Sequence, residues 1–69
     1  QKGNYPKALE NLTGAIQAGI KDPAVYYHLG LVYTKTGEPS KARDAFRQAL
    51  SLNPNFEKAA EIKSIINSP

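Results

Sequence analysis

The sequence contains no cysteine and only one histidine, His28, among its 69 residues. Without cysteine the chain can form neither a disulfide framework nor a thiolate zinc site, and the usual clue to its redox compartment is missing. A metal site needs several ligands, and one histidine without cysteine does not supply them. We therefore expect no cofactor, and we expect the fold to be held together by apolar packing alone.

Long apolar runs and strong charge are also missing. No apolar run is long enough to span a bilayer, and no segment shows the alternating pattern of a strand. The chain has nine Lys and Arg residues and six Asp and Glu residues, and the resulting net charge of +3 is spread along the sequence. Because the chain starts at Gln1 and has no signal-peptide pattern, we expect it to be part of a longer protein; its localisation stays open.

Glycine and proline divide the chain into four predicted helices. A proline in the first turn marks three helix starts, at Asn4-Tyr5-Pro6, Asp22-Pro23 and Glu38-Pro39. Gly19 and Gly37 are expected to end the first two helices in a left-handed conformation. The third ends near Asn53, and a fourth is predicted from Phe56 to about Asn67. All connections are short, which favours antiparallel neighbours and an all-α fold.

The first and third predicted helices are copies of one unit, offset by 34 residues. The segment KGNYPKALENLTGAI (2–16) aligns with TGEPSKARDAFRQAL (36–50). The matched positions are Gly3 with Gly37, Lys7 with Lys41, Ala8 with Ala42, Leu12 with Phe46, Ala15 with Ala49 and Ile16 with Leu50. The second and third helices therefore form one complete unit, and the first helix is the second half of a preceding one.

This unit, residues 23–56, resembles a tetratricopeptide repeat. The resemblance is carried by the packing signature Tyr26, Leu29, Gly30, Tyr33, Ala42, Phe46, Ala49 and Pro54. Tyr26 stands where the family usually has Trp, Pro39 where an aromatic is common, and Lys63 where the next copy would have Leu. The resemblance implies antiparallel helix–turn–helix repeats in a short right-handed solenoid. Residues 1–22 would be the second helix of a preceding repeat, and residues 57–69 a closing helix with a polar outer face.

Gly30 interrupts the apolar stretch YYHLGLVY, residues 26–33. Such a helix would be sandwiched between the preceding repeat and its own second helix, so it needs apolar residues on most of its circumference. Glycine costs about 1 kcal/mol of helix propensity relative to alanine. We interpret Gly30 as the point of closest approach to a neighbouring helix, where leucine would overpack the contact by about 1–3 kcal/mol.

The resemblance implies a non-catalytic protein-interaction module that presents a concave groove to a peptide. The family's groove positions fall on Ala24, Tyr27, His28, Leu31, Thr34, Lys35, Lys58, Glu61 and Ile65. An alternative is that Tyr27 and Leu31 pack on the neighbouring first helix, and this is favoured because only contiguous exposed apolar residues indicate a binding surface. A further alternative is a structural spacer without a ligand. Some members grip a C-terminal carboxylate with Lys and Asn where this chain has Tyr27 and Leu31, so that function is not expected.

Enzymatic and nucleic-acid functions lack support in the sequence. His28 has no positioned carboxylate and nucleophile beside it, so no small-molecule substrate is expected. Nucleic-acid binding would need a continuous basic stripe with free aromatic side chains. Asp44 interrupts the basic residues Lys41, Arg43 and Arg47, and the aromatic residues belong to the repeat signature.

The first predicted helix leads to a prediction about assembly. Its apolar residues Leu9, Leu12 and Ile16 are expected to stay partly uncovered if no other helix packs on them. Because a chain of 69 residues has little apolar burial to spare, we predict self-association through this helix. Light scattering should show a mass that rises with concentration in the micromolar range; a constant monomer mass would contradict the prediction.

Overall fold

The computed structural model describes residues 5–67, which form four α-helices joined by short connections. The helices are α1 (Tyr5–Gln17), α2 (Pro23–Lys35), α3 (Pro39–Leu52) and α4 (Ala59–Ile66). Residues 5–67 contain no strand, so the all-α class and the four helices are confirmed. The predicted start at Asn4 and the match at Gly3 lie outside the described residues.

Both glycine helix ends form as predicted. Gly19 and Gly37 have φ of 92° and 78°, in the left-handed region where a side chain would be strained. Beyond them, the Ile20 amide donates to the Ala15 carbonyl at 3.1 Å, and the Glu38 amide donates to the Tyr33 carbonyl at 2.8 Å. These bonds satisfy carbonyls that have no partner within the helix.

The start of α2 also follows the prediction. The Oδ1 atom of Asp22 accepts a hydrogen bond from the Ala24 amide at 2.9 Å. Pro23 occupies the first turn, where its missing N–H leaves no acceptor unpaired. The start of α3 is different, since Glu38 precedes Pro39 but makes no capping hydrogen bond with its side chain.

The start of α4 corrects the sequence prediction, because the helix begins at Ala59 and not at Phe56. The side chain of Asn53 accepts from the Asn55 amide at 3.0 Å, and the Asn53 carbonyl accepts from the Phe56 amide at 3.2 Å. These local turns compete with helix formation. They leave Phe56 half-buried against the core instead of in the first helical turn.

The core is built on the contact between Gly30 of α2 and Phe46 of α3. A Cβ atom on Gly30 would clash with the Phe46 ring, lying 2.6 Å from Cδ1 and 2.7 Å from Cζ. Phe46 is 1% exposed, and Ala42 and Ala49 beside it are also buried. The group that occupies the missing side-chain volume of Gly30 is therefore the Phe46 ring.

Contacts at the helix ends give the relative directions of the helices. Near the end of α2, the Tyr33 ring lies 5.8 Å from the Nζ atom of Lys41, which is near the start of α3. The two helices are therefore antiparallel. The last turn of α4, at Ile66, likewise lies beside the first turn of α3, at Pro39.

α4 packs on α3 and α1 packs on α2, and the two helices are buried to different extents. α4 places Ala59 and Ile62 in the core, with Ile62 at 0% exposure. α1 packs on α2, and none of its residues is buried. Self-association through α1 stays a prediction.

The Gly30 contact predicts opposite effects of the same substitution at two helical glycines. Gly30→Ala should lower the free energy of unfolding by about 1–3 kcal/mol, because the new methyl group must displace the buried Phe46 ring. Gly14→Ala in α1 is the matched control, because nothing lies within 4 Å of its added Cβ. It should raise stability by up to about 1 kcal/mol through helix propensity. Urea unfolding followed by circular dichroism measures both; a Gly30→Ala protein as stable as the wild type would contradict the packing.

Candidate functional site

The nine predicted groove residues differ in how accessible they are. Six are exposed: His28, Thr34, Lys35, Lys58, Glu61 and Ile65. Ala24 and Leu31 are half-buried, and Tyr27 is only 7% exposed. The surface that they share is therefore less apolar than the sequence suggests.

Tyr27 is a core residue that also connects α2 to α4. Its ring centroid lies 6.2 Å from those of Phe46 and Phe56. Its hydroxyl donates a hydrogen bond to the Oε2 atom of Glu61 at 2.7 Å. The structure thus corrects the prediction of Tyr27 as an open groove residue, and the alternative of packing on the neighbouring helix describes it.

Three of the predicted residues come together and interact with one another: Tyr27, Lys58 and Glu61, here called the Tyr27 cluster. The Nζ atom of Lys58 lies 4.0 Å from the Oε1 atom of Glu61 and 6.0 Å from the Tyr27 ring centroid. Both charged side chains are about half exposed, so the ion pair itself contributes little stability. These three predicted groove residues therefore make contacts with one another inside the protein.

The hydrogen bond to Glu61 raises the pKa of the Tyr27 hydroxyl above its usual value of 10.0. Burial of the ring and the nearby negative charge of Glu61 act in the same direction. The hydroxyl therefore remains a neutral donor at physiological pH.

An open cleft of about 370 Å³ lies beside this cluster, where the ends of α2 and α4 meet the start of α3. The cleft is lined by Thr34, Pro39, Ala42, Arg43, Phe46, Ile65 and Ile66. Thr34 and Ile65 belong to the predicted groove, and Ile65 is 40% exposed. Sequence reasoning missed the contribution of α3, because the family's groove is assigned mostly to first helices.

The basic residues of α3 do not form a continuous surface stripe. The Nζ atom of Lys41 lies 3.6 Å from the Oε1 atom of Glu38 and also lies over the Tyr33 ring. Arg43 and Arg47 are exposed one helical turn apart, and Asp44 lies exposed between them in the sequence. This arrangement gives little support to a nucleic-acid interface.

Residues 5–67 contain neither a membrane-spanning helix nor a cluster of metal ligands. No helix there combines the length and the apolar character that a membrane span requires. The described residues also contain no group of three or more His, Cys, Asp and Glu side chains placed to hold a metal ion. The cleft and the Tyr27 cluster are therefore the features on which a functional interpretation can be built.

Comparison with known proteins identifies the unit formed by α2 and α3. The family profile of the tetratricopeptide repeat matches residues 23–56, the residues in which the sequence resemblance was found. The family recognised from the packing signature is thereby confirmed. No solved structure matches the chain.

Several curated proteins are similar in sequence. The photosystem I assembly protein Ycf3 of Acaryochloris marina is 43% identical over 61 residues, which cover 83% of this chain and 36% of that protein. Ycf3 of Cyanophora paradoxa is 35% identical over 69 residues, covering 94% of this chain and 39% of the relative. The general transcriptional corepressor ssn6 of Schizosaccharomyces pombe is 45% identical over 42 residues, 61% of this chain and 4% of its own length. The chain thus spans less than two fifths of each of these relatives.

The hydrogen bond from Tyr27 to Glu61 predicts a measurable loss of stability on removal of one oxygen atom. Tyr27→Phe keeps the buried ring and should lower the free energy of unfolding by about 1 kcal/mol at neutral pH, since Glu61 is partly solvated. Tyr33→Phe is a matched control, because the Tyr33 hydroxyl makes no hydrogen bond within residues 5–67. Equal stabilities of the two variants in urea unfolding would contradict this role of the hydroxyl.

The same bond predicts a dependence on alkaline pH. Because folding raises the pKa of Tyr27, its contribution to stability is fully present below about pH 10 and is lost as the pH rises through the folded-state pKa. The stability difference between the wild type and Tyr27→Phe should therefore be constant from pH 7 to 9 and shrink above pH 10. A difference that persists unchanged at pH 12 would count against the bond.

Proposed function

Since the chain belongs to the tetratricopeptide repeat family, with a complete repeat at residues 23–56, we propose that it binds a peptide segment of a partner protein at the cleft. The family is a protein-interaction fold, and this chain is a module of that kind. The observation that carries the proposal is the open cleft between α2, α3 and α4, which includes two residues of the predicted groove, Thr34 and Ile65.

The size and lining of the cleft suit part of a peptide. Its volume of about 370 Å³ is near the lower end of ligand pockets, which run from about 300 to 1,000 Å³. Such a space takes one or two side chains and not a large cofactor. Ile65 lines the cleft, and Leu31, the other large aliphatic residue of the predicted groove, is half-buried against the core.

The relatives support a non-catalytic role for this segment. They are named as an assembly protein and a transcriptional corepressor, and neither name describes a catalyst. Because the chain covers only part of each relative, their partners are not assigned to it. The proposal concerns the mode of binding, a peptide segment held on helices.

Two alternatives give different experimental results. A structural spacer would show no localised response to any peptide, and its partner would bind elsewhere in the full protein. Nucleic-acid binding would appear as RNA affinity that falls steeply with salt, since it would rest on the few positive charges. A mixture of the protein with RNA over a salt gradient separates this alternative from the other two.

The peptide-binding proposal predicts a localised response and its loss on removal of one exposed apolar side chain. Titration of the labelled protein with a peptide library should shift the amide resonances of Leu31, Thr34 and Ile65 and leave those of α1 unchanged. Ile65→Ser should weaken binding several-fold, because Ile65 lines the cleft. Leu52→Ser is the matched control, at 37% exposure compared with 40% for Ile65 and away from the cleft. Absence of any localised shift would favour the spacer.

A further inference from the structure

The cleft combines an apolar floor with one charged side chain. Of its lining residues only Arg43 carries a charge, while Ile65 and Ile66 offer apolar surface above the buried Phe46 ring. The ion pairs found within residues 5–67 join Lys41 to Glu38 and Lys58 to Glu61, so neither includes Arg43. An exposed guanidinium beside an apolar floor favours a ligand that carries a negative charge next to an apolar group.

The preceding helix junction of this chain indicates which apolar group would fit. A shift of 34 residues places Leu9 of α1 at the position of Arg43, and Leu31 and Val32 of α2 at the positions of Ile65 and Ile66. Leu9 is half-buried where α1 packs on α2, whereas Arg43 is exposed. The repeat position that holds Leu9 in α1 therefore holds a cation, Arg43, in α3 beside the cleft.

We propose that the cleft recognises a peptide segment in which a leucine-sized apolar side chain lies next to Asp or Glu. The apolar side chain would lie against Ile65 and Ile66, beside the repeat position that Leu9 holds in the preceding unit. The adjacent carboxylate would pair with the Arg43 guanidinium, whose planar set of donors matches a carboxylate. This inference rests on the proposed peptide-binding function and names the ligand chemistry of the same site.

The carboxylate is assigned to a side chain within the peptide and not to a chain end. Capture of a terminal carboxylate requires several donors that converge on one point. Near the cleft, Tyr27 is buried and donates its hydroxyl proton to Glu61, and Leu31 has no side-chain donor. Among the described residues that line the cleft, Arg43 is then the single charged donor, which is sufficient for one Asp or Glu side chain.

Four short peptides test this chemistry by amide-shift titration of the full 69-residue chain. Three have both ends capped and contain Leu-Glu, Leu-Gln or Ala-Glu between glycines; the fourth ends in leucine with a free carboxylate. Leu-Glu should bind about two- to fivefold more tightly than Leu-Gln at low salt, the range expected for an exposed ion pair. This preference should shrink as salt is raised. Ala-Glu should bind more weakly than Leu-Glu, because it lacks the apolar anchor.

Two arginine variants assign the effect to the cleft. Arg43→Gln should remove the preference for Leu-Glu over Leu-Gln, so that the ratio of the two affinities falls to about one. Arg47→Gln is the matched control, because Arg47 is exposed one turn further along α3 and does not line the cleft. It removes the same charge and should keep the preference.

Each outcome separates this inference from the function on which it rests. Equal binding of Leu-Glu and Leu-Gln by the wild type would overturn the charge preference and leave peptide binding intact. A preference that survives in Arg43→Gln would exclude Arg43 as its source. Tightest binding of the free-carboxylate peptide would assign the cleft to chain ends and overturn the proposal. No shift with any of the four peptides would count against both the inference and the proposed function.

Discussion

The placement of the Phe46 ring in the space that Gly30 leaves open determines the spacing of α2 and α3. A ring this close to a helix backbone is possible only where no Cβ intervenes. Burial of a phenylalanine side chain contributes about 1.5–3 kcal/mol, a large share of what a chain of this size has available. Since α1 has no buried residue and α4 has only Ala59 and Ile62, this contact is the centre from which the other elements are positioned.

The Tyr27 cluster and the cleft both follow from that contact. The Tyr27 ring packs against Phe46 with the two ring planes tilted by 47°, and its hydroxyl then reaches Glu61 on α4. Phe46 also forms part of the cleft floor, together with Ala42. The residue that fixes the repeat geometry therefore also lies directly beneath the candidate site, so a substitution of Phe46 would change stability and the shape of the cleft together.

The helical layout could be predicted from the sequence because its signals are local. Glycine and proline act on the backbone within a few residues of their own position. The structure has helix C-termini just before Gly19 and Gly37 and a helix start after Asp22. The start of α4 was predicted wrongly because Asn53 offers a competing local turn. The correct and the incorrect helix boundaries have the same physical origin, because short-range hydrogen bonds determine where helices begin and end. Only some residue types indicate these hydrogen bonds clearly in the sequence.

The candidate site could be predicted only in part, because its properties arise from pairs of residues in different repeats. Tyr27 and Glu61 occupy the same repeat position 34 residues apart, and each one alone is typical of a groove surface. Together they form a hydrogen bond that buries the ring and occupies the carboxylate. When groove roles are assigned to single positions from the family pattern, each residue is treated as if its neighbour were the usual one of the family. Such an assignment therefore misses the contact between Tyr27 and Glu61.

The same dependence on pairs of residues explains why the large exposed apolar side chain of α4, Ile65, lies near the C-terminal end of this helix. Its side towards α3 buries Ala59 and Ile62, whereas Lys63 and Ser64, at the positions of Leu29 and Gly30, are exposed. Polar residues at these positions remove the apolar surface that a further helix would need there. Ile65 is different, since it stays 40% exposed at the cleft, where Arg43 replaces the leucine of the preceding junction. The proposed site therefore combines a cation on α3 with exposed apolar surface on a helix whose outer face is otherwise polar.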